Sequence, residues 1–225
     1  MALVRHDSQE VQFKIVYCGP PGGGKTSNLQ YIHRRLDHGL RGDLVSIATD
    51  RSRTICFDFL PVHETEIEGY RTRFQLYAVP GQRLFAETRR SILAGADAVV
   101  FVADSSSARL DANLEAWRGC REDLLANHID PARIPFAYQY NKRDQADAMR
   151  PEDLDELFGV RVPSFPAFAL SGYQVLATLD WVTREVLRGF HASPAISKRC
   201  KTQADAGEAW SAQRIKARPL EAPAA

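Results

Sequence analysis

Gly19-Pro20-Pro21-Gly22-Gly23-Gly24-Lys25-Thr26 has the spacing GxxxxGK[ST], and residues of those types in that order suit one chemistry, the holding of a polyphosphate. Glycines at 19, 22, 23 and 24 let backbone N–H groups turn inward without steric hindrance, and a helix starting just after them would add its positive N-terminal end. Lys25 would then neutralise the β and γ phosphates, while the Thr26 hydroxyl would ligate a Mg²⁺ bridging the same phosphates; Ser27 completes the expected contacts. A merely flexible glycine turn would leave Lys25 and Thr26 unexplained.

A second motif, Asn141-Lys142-Arg143-Asp144, says which base is bound. Asp144 supplies a carboxylate that accepts both donors of the guanine edge, and the aliphatic stem of Lys142 has the length to lie across the ring. Adenine presents the opposite edge and would be rejected. On its own such a tetrapeptide reads equally well as a surface turn; following the phosphate motif in this order, it reads as a guanine loop.

Both motifs need strands in front of them, and the sequence supplies these. Phe13 to Tyr17 is an apolar run ahead of Gly19, and Ile134 to Tyr140 is another ahead of Asn141. Between and beyond them, short apolar runs (55–60, 71–79, 98–103, 134–140, 164–169) alternate with amphipathic ones (25–37, 83–94, 109–127, 150–158, 174–190). Strand and helix by turns predict a doubly wound α/β chain of three layers, with a mostly parallel central sheet and helices on both faces; with the phosphate motif after its first strand, the expected fold is that of the P-loop NTPases. Ala98 to Ala103 is wholly apolar and suits a central strand; Arg71 to Tyr77 alternates and suits one nearer the edge. Residues 38–54 break the rhythm and read as a polar, mobile connection. The expected domains are an N-terminal extension over 1–11, a nucleotide domain over 12–190 and a basic, Ala/Pro-rich tail over 191–225. That tail is either disordered or a partner-docking segment with a short helix at 203–216.

Composition removes several classes. At 225 residues the chain is long enough to bury a core without staples, and 29 Lys plus Arg against 28 Asp plus Glu gives no electrostatic case for nucleic acid. Cys18, Cys56, Cys120 and Cys200 are scattered and read as reduced thiols. No run is long and apolar enough to span a membrane, and Ala2 with the terminal Ala-Pro-Ala-Ala offers no lipidation signal, so no direct membrane anchor is expected. The six histidines show no metal-ligand spacing.

With these motifs in order, the chain resembles the Ras-like small GTPases, and specifically the bacterial gliding-motility GTPases of the MglA family, from about Lys14 to Phe190. The resemblance lies in Lys25 to Ile32, Leu44 to Thr49, Thr54 to Pro61, Val79-Pro80-Gly81-Gln82, Phe101 to Ser105, Asp111-Ala112-Asn113 and Gln139 to Asp144. It implies a cytoplasmic GTP/GDP switch that works with Mg²⁺ and is recruited to a cell pole by partners. Thr54 matches the switch I threonine that closes on Mg²⁺ and the γ phosphate, Gly81 the switch II glycine that senses that phosphate, and Gln82 the glutamine that orients the attacking water. Arg53 matches an arginine supplied in cis to the transition state, with Arg51 as its rival. Ala169 matches the loop whose backbone N–H meets the base. A roadblock/LC7-type activator and polarity or motility effectors are the implied partners. Phe57, Phe59, Phe74, Tyr77 and Phe85 flank the switches and read as either an interface or sheet core.

Two positions depart from the Ras-like pattern. Ala78 stands where most Ras-like proteins carry an acid bound to Mg²⁺ through water; the resembling family also lacks the acid and tends to carry Thr. Pro21 stands where the family carries Gly, facing the γ phosphate, and proline has no N–H to offer. They motivate an alternative, a GTP-binding interaction protein with little or no turnover. A small-molecule kinase on the same phosphate loop is a second alternative, which would require an arginine lid and no guanine loop.

Overall fold

The structure is a computed structural model that describes residues 2–5, 9–49, 52–59, 66–67, 69–82 and 85–192; for 4, 47–49, 52–59 and 66–67 it describes the backbone alone. Strand β2 (Glu10–Cys18) shows why the chain folds as layers. Its side chains alternate, so Phe13, Ile15 and Tyr17 enter one core while Val16 and Cys18 enter another. Both sets are essentially inaccessible, so the strand needs cover on each face.

That cover comes from helices on both sides. On the Phe13 face lie α1 (Lys25–Arg35), through Leu29 and Ile32, and α5 (Val175–His191), through Val175, Leu179, Val182 and Val186. On the Val16 face lie α2 (Ala86–Leu93), α3 (Leu110–Ala126) and α4 (Pro151–Phe158), contributing Leu93, Cys120, Leu124, Leu154 and Phe158. The α/β expectation holds.

The remaining strands are β1 (Leu3–Arg5), β3 (Val45–Thr49), β4 (Ser52–Phe59), β5 (Glu66–Ile67), β6 (Tyr70–Ala78), β7 (Ala98–Asp104), β8 (Phe136–Asn141) and β9 (Ser164–Pro166). The sheet runs β3-β4-β6-β2-β7-β8-β9, with β1 on β2 and β5 on β6. Pairings of β2 with β6 and β7, and of β8 with β7 and β9, are parallel; those of β4 with β3 and β6 are antiparallel. The strand that leads into the phosphate loop thus lies mid-sheet between two parallel neighbours, and its own crossover, through α1, leaves toward β4 while that of β7, through α3, leaves toward β8. In open α/β sheets such a switch point leaves a crevice beyond the strands' carboxyl ends.

Four sequence expectations need correction or completion. The stretch 38–54 is not all connection: after a 3₁₀ turn at His38–Leu40, β3 forms an antiparallel pair with β4, with Ile47 opposite Thr54 and Ala48 opposite Arg53. Leu44 to Thr49 holds the β-branched residues such a strand prefers, a signal masked by the polar residues around it. Strand β6 lies inside the sheet, not toward its edge; it alternates because residues 71, 73, 75 and 77 are less covered than 72, 74, 76 and 78. Phe74 is fully buried and stacked on Phe13, 5.2 Å between ring centroids, so it belongs to the core and not to an interface. Strand β1 was not anticipated and pairs with β2, Val4 opposite Val11. Residues 193–225 of the expected tail lie outside the described residues. No described helix is long and apolar enough to cross a membrane.

Candidate nucleotide site

The phosphate-loop residues leave β2 at Cys18 and enter α1 at Lys25 through three glycines with positive φ: Gly19 (135°), Gly22 (76°) and Gly24 (101°). Two of them are also sterically required. A Cβ on Gly19 would sit 2.1 Å from the Val102 carbonyl oxygen, and one on Gly24 would sit 1.9 Å from the Asn141 side-chain nitrogen. The turn closes with Gly23 N–H donating to the Pro20 carbonyl, 3.1 Å. No side chain caps the start of α1 and no acid lies in its first turn, while His33, Arg34 and Arg35 occupy its last. The helix therefore offers its N-terminal N–H groups to an anion, with the opposite end of its dipole already matched.

Lys25 is buried, with its ammonium donating to the Gly19 and Pro20 carbonyls at 2.9 and 2.7 Å. Burial pushes its pKa down to about 8, the penalty for keeping a cation out of water with only carbonyl dipoles as partners. An approaching phosphate would reverse that penalty. Thr26 is exposed beside it and Ser27 is half-buried.

The guanine motif comes from the next strand but one. Strands β7 and β8 end in register at Asp104 and Asn141. Asn141 is buried and bridges two loops: its Nδ2 donates to Gly23 O at 2.8 Å and its Oδ1 accepts from Ala169 N at 2.8 Å. The structure thus brings the phosphate loop, the guanine motif and the 168–174 turn together through one side chain. The Ala169 N–H that was assigned to the base is engaged by Asn141. Lys142, with a left-handed φ of 65°, turns its ammonium onto Asp104 Oδ2 at 2.7 Å, which stretches the stem along the crevice. Asp144 is exposed and so accessible to a ligand.

From the other side of β2, Val79 N–H donates to Tyr17 O at 3.1 Å, holding the Val79–Gln82 segment against the phosphate loop. Gln82 is exposed, and its carbonyl accepts from Phe85 N–H. The backbones of Arg53 and Thr54 lie in β4, next to Ile55, the register partner of Ala78; their side chains, and Arg51, lie outside the described residues.

The residues present suit Mg²⁺ of one kind only. The described residues hold no group of three or more His, Cys, Asp and Glu fit for a metal, and Ala78 adds no carboxylate. A hydroxyl such as that of Thr26 beside phosphate oxygens suits a hard cation that keeps most of its water and takes few protein ligands. The chain's own contribution would be small.

Three residues at this crevice were not given roles by the sequence. Asp104 is almost wholly buried, 1% exposed, and carries Lys142 and Arg109 on one carboxylate. Asn113 fixes the end of β7, its Oδ1 accepting from Asp104 N and its Nδ2 donating to Asp104 O. Arg109 Nη2 donates to Pro21 O at 2.8 Å. An acid closing a fully apolar strand was the available signal for Asp104; Arg109 had none. Cys18 and Cys120 are buried free thiols, and contact with Cys18 together with burial pushes the Cys120 thiol up.

No protein-family model matches the chain. Mutual gliding-motility protein MglA of Myxococcus xanthus (strain DK1622) is 43% identical over 188 residues, covering 83% of this chain and 96% of that protein. GTP-binding protein yptV5 of Volvox carteri is 28% identical over 181 residues, 78% of this chain and 82% of that protein. The Ypt/Rab-type GTPase Rab7 of Gibberella zeae is 29% identical over 144 residues, 63% of each chain. With the phosphate loop, the guanine motif and the sheet that joins them, these likenesses show that the chain belongs to the MglA family of Ras-like small GTPases.

Proposed function

We propose that this chain is a GTP/GDP switch of bacterial cell polarity or gliding motility, hydrolysing GTP to GDP and phosphate. The observation that carries the reading is the Asn141 bridge, which joins Gly23 of the phosphate loop to Ala169 across the crevice. The motility assignment draws on the relative named for mutual gliding motility.

In this reading Lys25 and the N–H groups of Gly22 to Ser27 hold the β and γ phosphates, and Asp144 selects guanine while Lys142 and Ala169 line the base. Thr26 and Thr54 would hold Mg²⁺, which supplies charge neutralisation between the β and γ phosphates. Gln82 orients the attacking water from the segment that Val79 and Gly81 press onto the loop. Arg53, delivered from β4, stabilises charge on the leaving oxygens. Phosphoryl transfer asks little more of a protein than such positioning and electrostatics. When the γ phosphate leaves, the contacts of Thr54 and Gly81 are lost and both segments relax. A roadblock/LC7-type activator and motility effectors would read that difference and bring the chain to a cell pole.

Turnover-free GTP binding, which Pro21 and Ala78 raise, finds no support among the relatives. The assignment is tested by identifying the nucleotide that copurifies with the chain and then by Asp144→Asn. Guanine nucleotide in the parent and a shift toward xanthine nucleotides in the variant are expected; adenine nucleotide, or no change in base preference, would sink the reading.

A further inference from the structure

Residue 21 of the phosphate loop is a proline, so its carbonyl is the one backbone polar group it has. That carbonyl accepts a hydrogen bond from Arg109 Nη2 at 2.8 Å, across 88 positions of sequence. Arg109 closes the 3₁₀ turn Ser107–Arg109 at the entry to α3, and its Nε lies 3.8 Å from Asp104 Oδ2. The same oxygen accepts from Lys142 Nζ at 2.7 Å, while Asp104 Oδ1 accepts from Ser106 N at 3.2 Å. One buried carboxylate therefore ties the turn of the phosphate loop to the guanine motif.

We propose that Arg109 is a positioning residue for the phosphates: anchored on Asp104, it holds the Pro21 carbonyl toward α3 and away from the anion the loop receives. The inference rests on the nucleotide-site reading above. A phosphate nest works because N–H groups line it, and a carbonyl oxygen turned into it would repel the ligand. Glycine at 21 would add an N–H of its own to the nest; proline adds none, so nothing at residue 21 would offset its carbonyl if that turned inward. The guanidinium suits this task because its fixed fork reaches a carboxylate and a carbonyl together, which a lysine ammonium at the same place would not. Asp104 is 1% exposed and already holds Lys142, while Arg109 is 40% exposed, so at 3.8 Å the carboxylate orients the guanidinium and adds little stability of its own.

The test compares full-length parent, Arg109→Met and Arg109→Lys by dissociation of fluorescent GDP, by GMP affinity and by thermal midpoint. The expected result is GDP release about tenfold faster in both variants, with GMP affinity within about twofold of the parent and the midpoint little changed, because GMP lacks the β phosphate that the loop grips. Unchanged GDP release, an equal loss for GMP and GDP, or full rescue by lysine would each overturn the proposal. If Arg109→Met does not fold, Arg109→Lys, which keeps the charge, decides alone by the same criteria. A parent that binds no guanine nucleotide would instead refute the site reading.

Discussion

Gly81 lies so close to Pro21 that no side chain fits between them: a Cβ on Gly81 would stand 2.4 Å from the Pro21 nitrogen and 2.5 Å from the Pro20 carbonyl carbon. The segment that carries Gln82 is thus seated directly on the phosphate loop, backbone to backbone. Neither side can yield by a rotamer change.

Gly81→Ala therefore displaces the Val79–Gln82 segment. A shift of an ångström in a water-orienting group costs about a hundredfold in rate. The expected outcome is GTP hydrolysis reduced by about that factor, with GDP affinity changed far less. Single-turnover rates and GDP affinities measured side by side check this; a variant that hydrolyses like the parent would show that the contact is dispensable.

Asn141→Ala removes both halves of the bridge and leaves the Gly23 carbonyl and the Ala169 N–H without their partner. Each buried polar group so stranded costs about 1–3 kcal/mol. Denaturant unfolding of the nucleotide-free chain should show a loss of about 2–6 kcal/mol for the two together, accompanied by weaker GDP binding. A loss of binding at parental stability would mean that Asn141 acts on the base alone.

Lys25 makes guanine nucleotide binding pH-dependent in a stated direction. Free, it titrates at about 8 because of burial; with phosphates beside it the charged form is favoured and its pKa rises. Binding above pH 8 must then take up a proton, so affinity falls as pH increases. From pH 7.5 to 9 the Kd for GDP should rise roughly eightfold. Lys25→Arg, charged throughout, should lack this component; equal slopes in parent and variant would remove Lys25 as the cause.

Asp123 on α3 accepts from Arg89 Nε at 2.7 Å and from Arg90 Nε at 3.2 Å, pinning α2 behind the Gln82 segment. Both Asp123 and Arg89 are buried. Asp123→Ala leaves a buried guanidinium without its carboxylate, and a stability loss of about 3–5 kcal/mol is expected from chemical denaturation. A loss below 1 kcal/mol would mean that Arg89 finds water or another acceptor.

What the sequence made legible was what local chemistry dictates. The phosphate loop announced itself through Gly24-Lys25-Thr26, and β7 through an unbroken apolar run, because each signal is carried by adjacent residues. The β3 strand was hidden because its few β-branched residues sit among polar ones, and its place depends on pairing with β4. Burial of Phe74 depends on stacking against Phe13, 61 positions away in the chain. Asp104 and Arg109 were legible only in part or not at all, since their meaning comes from Lys142 and Pro21, which the fold brings beside them. The roles proposed for Arg53, Thr54 and Gln82 rest on motif order and family likeness.

The central claim is that this chain hydrolyses GTP with its own Gln82 and Arg53. Single-turnover hydrolysis of bound GTP with Mg²⁺, with and without a roadblock-type partner, tests it most directly. One phosphate per bound GTP is predicted for the parent, faster with the partner. Gln82→Ala and Arg53→Ala should each slow the reaction by about a hundredfold or more while GTP stays bound. Retention of intact GTP by the parent under both conditions would contradict the account.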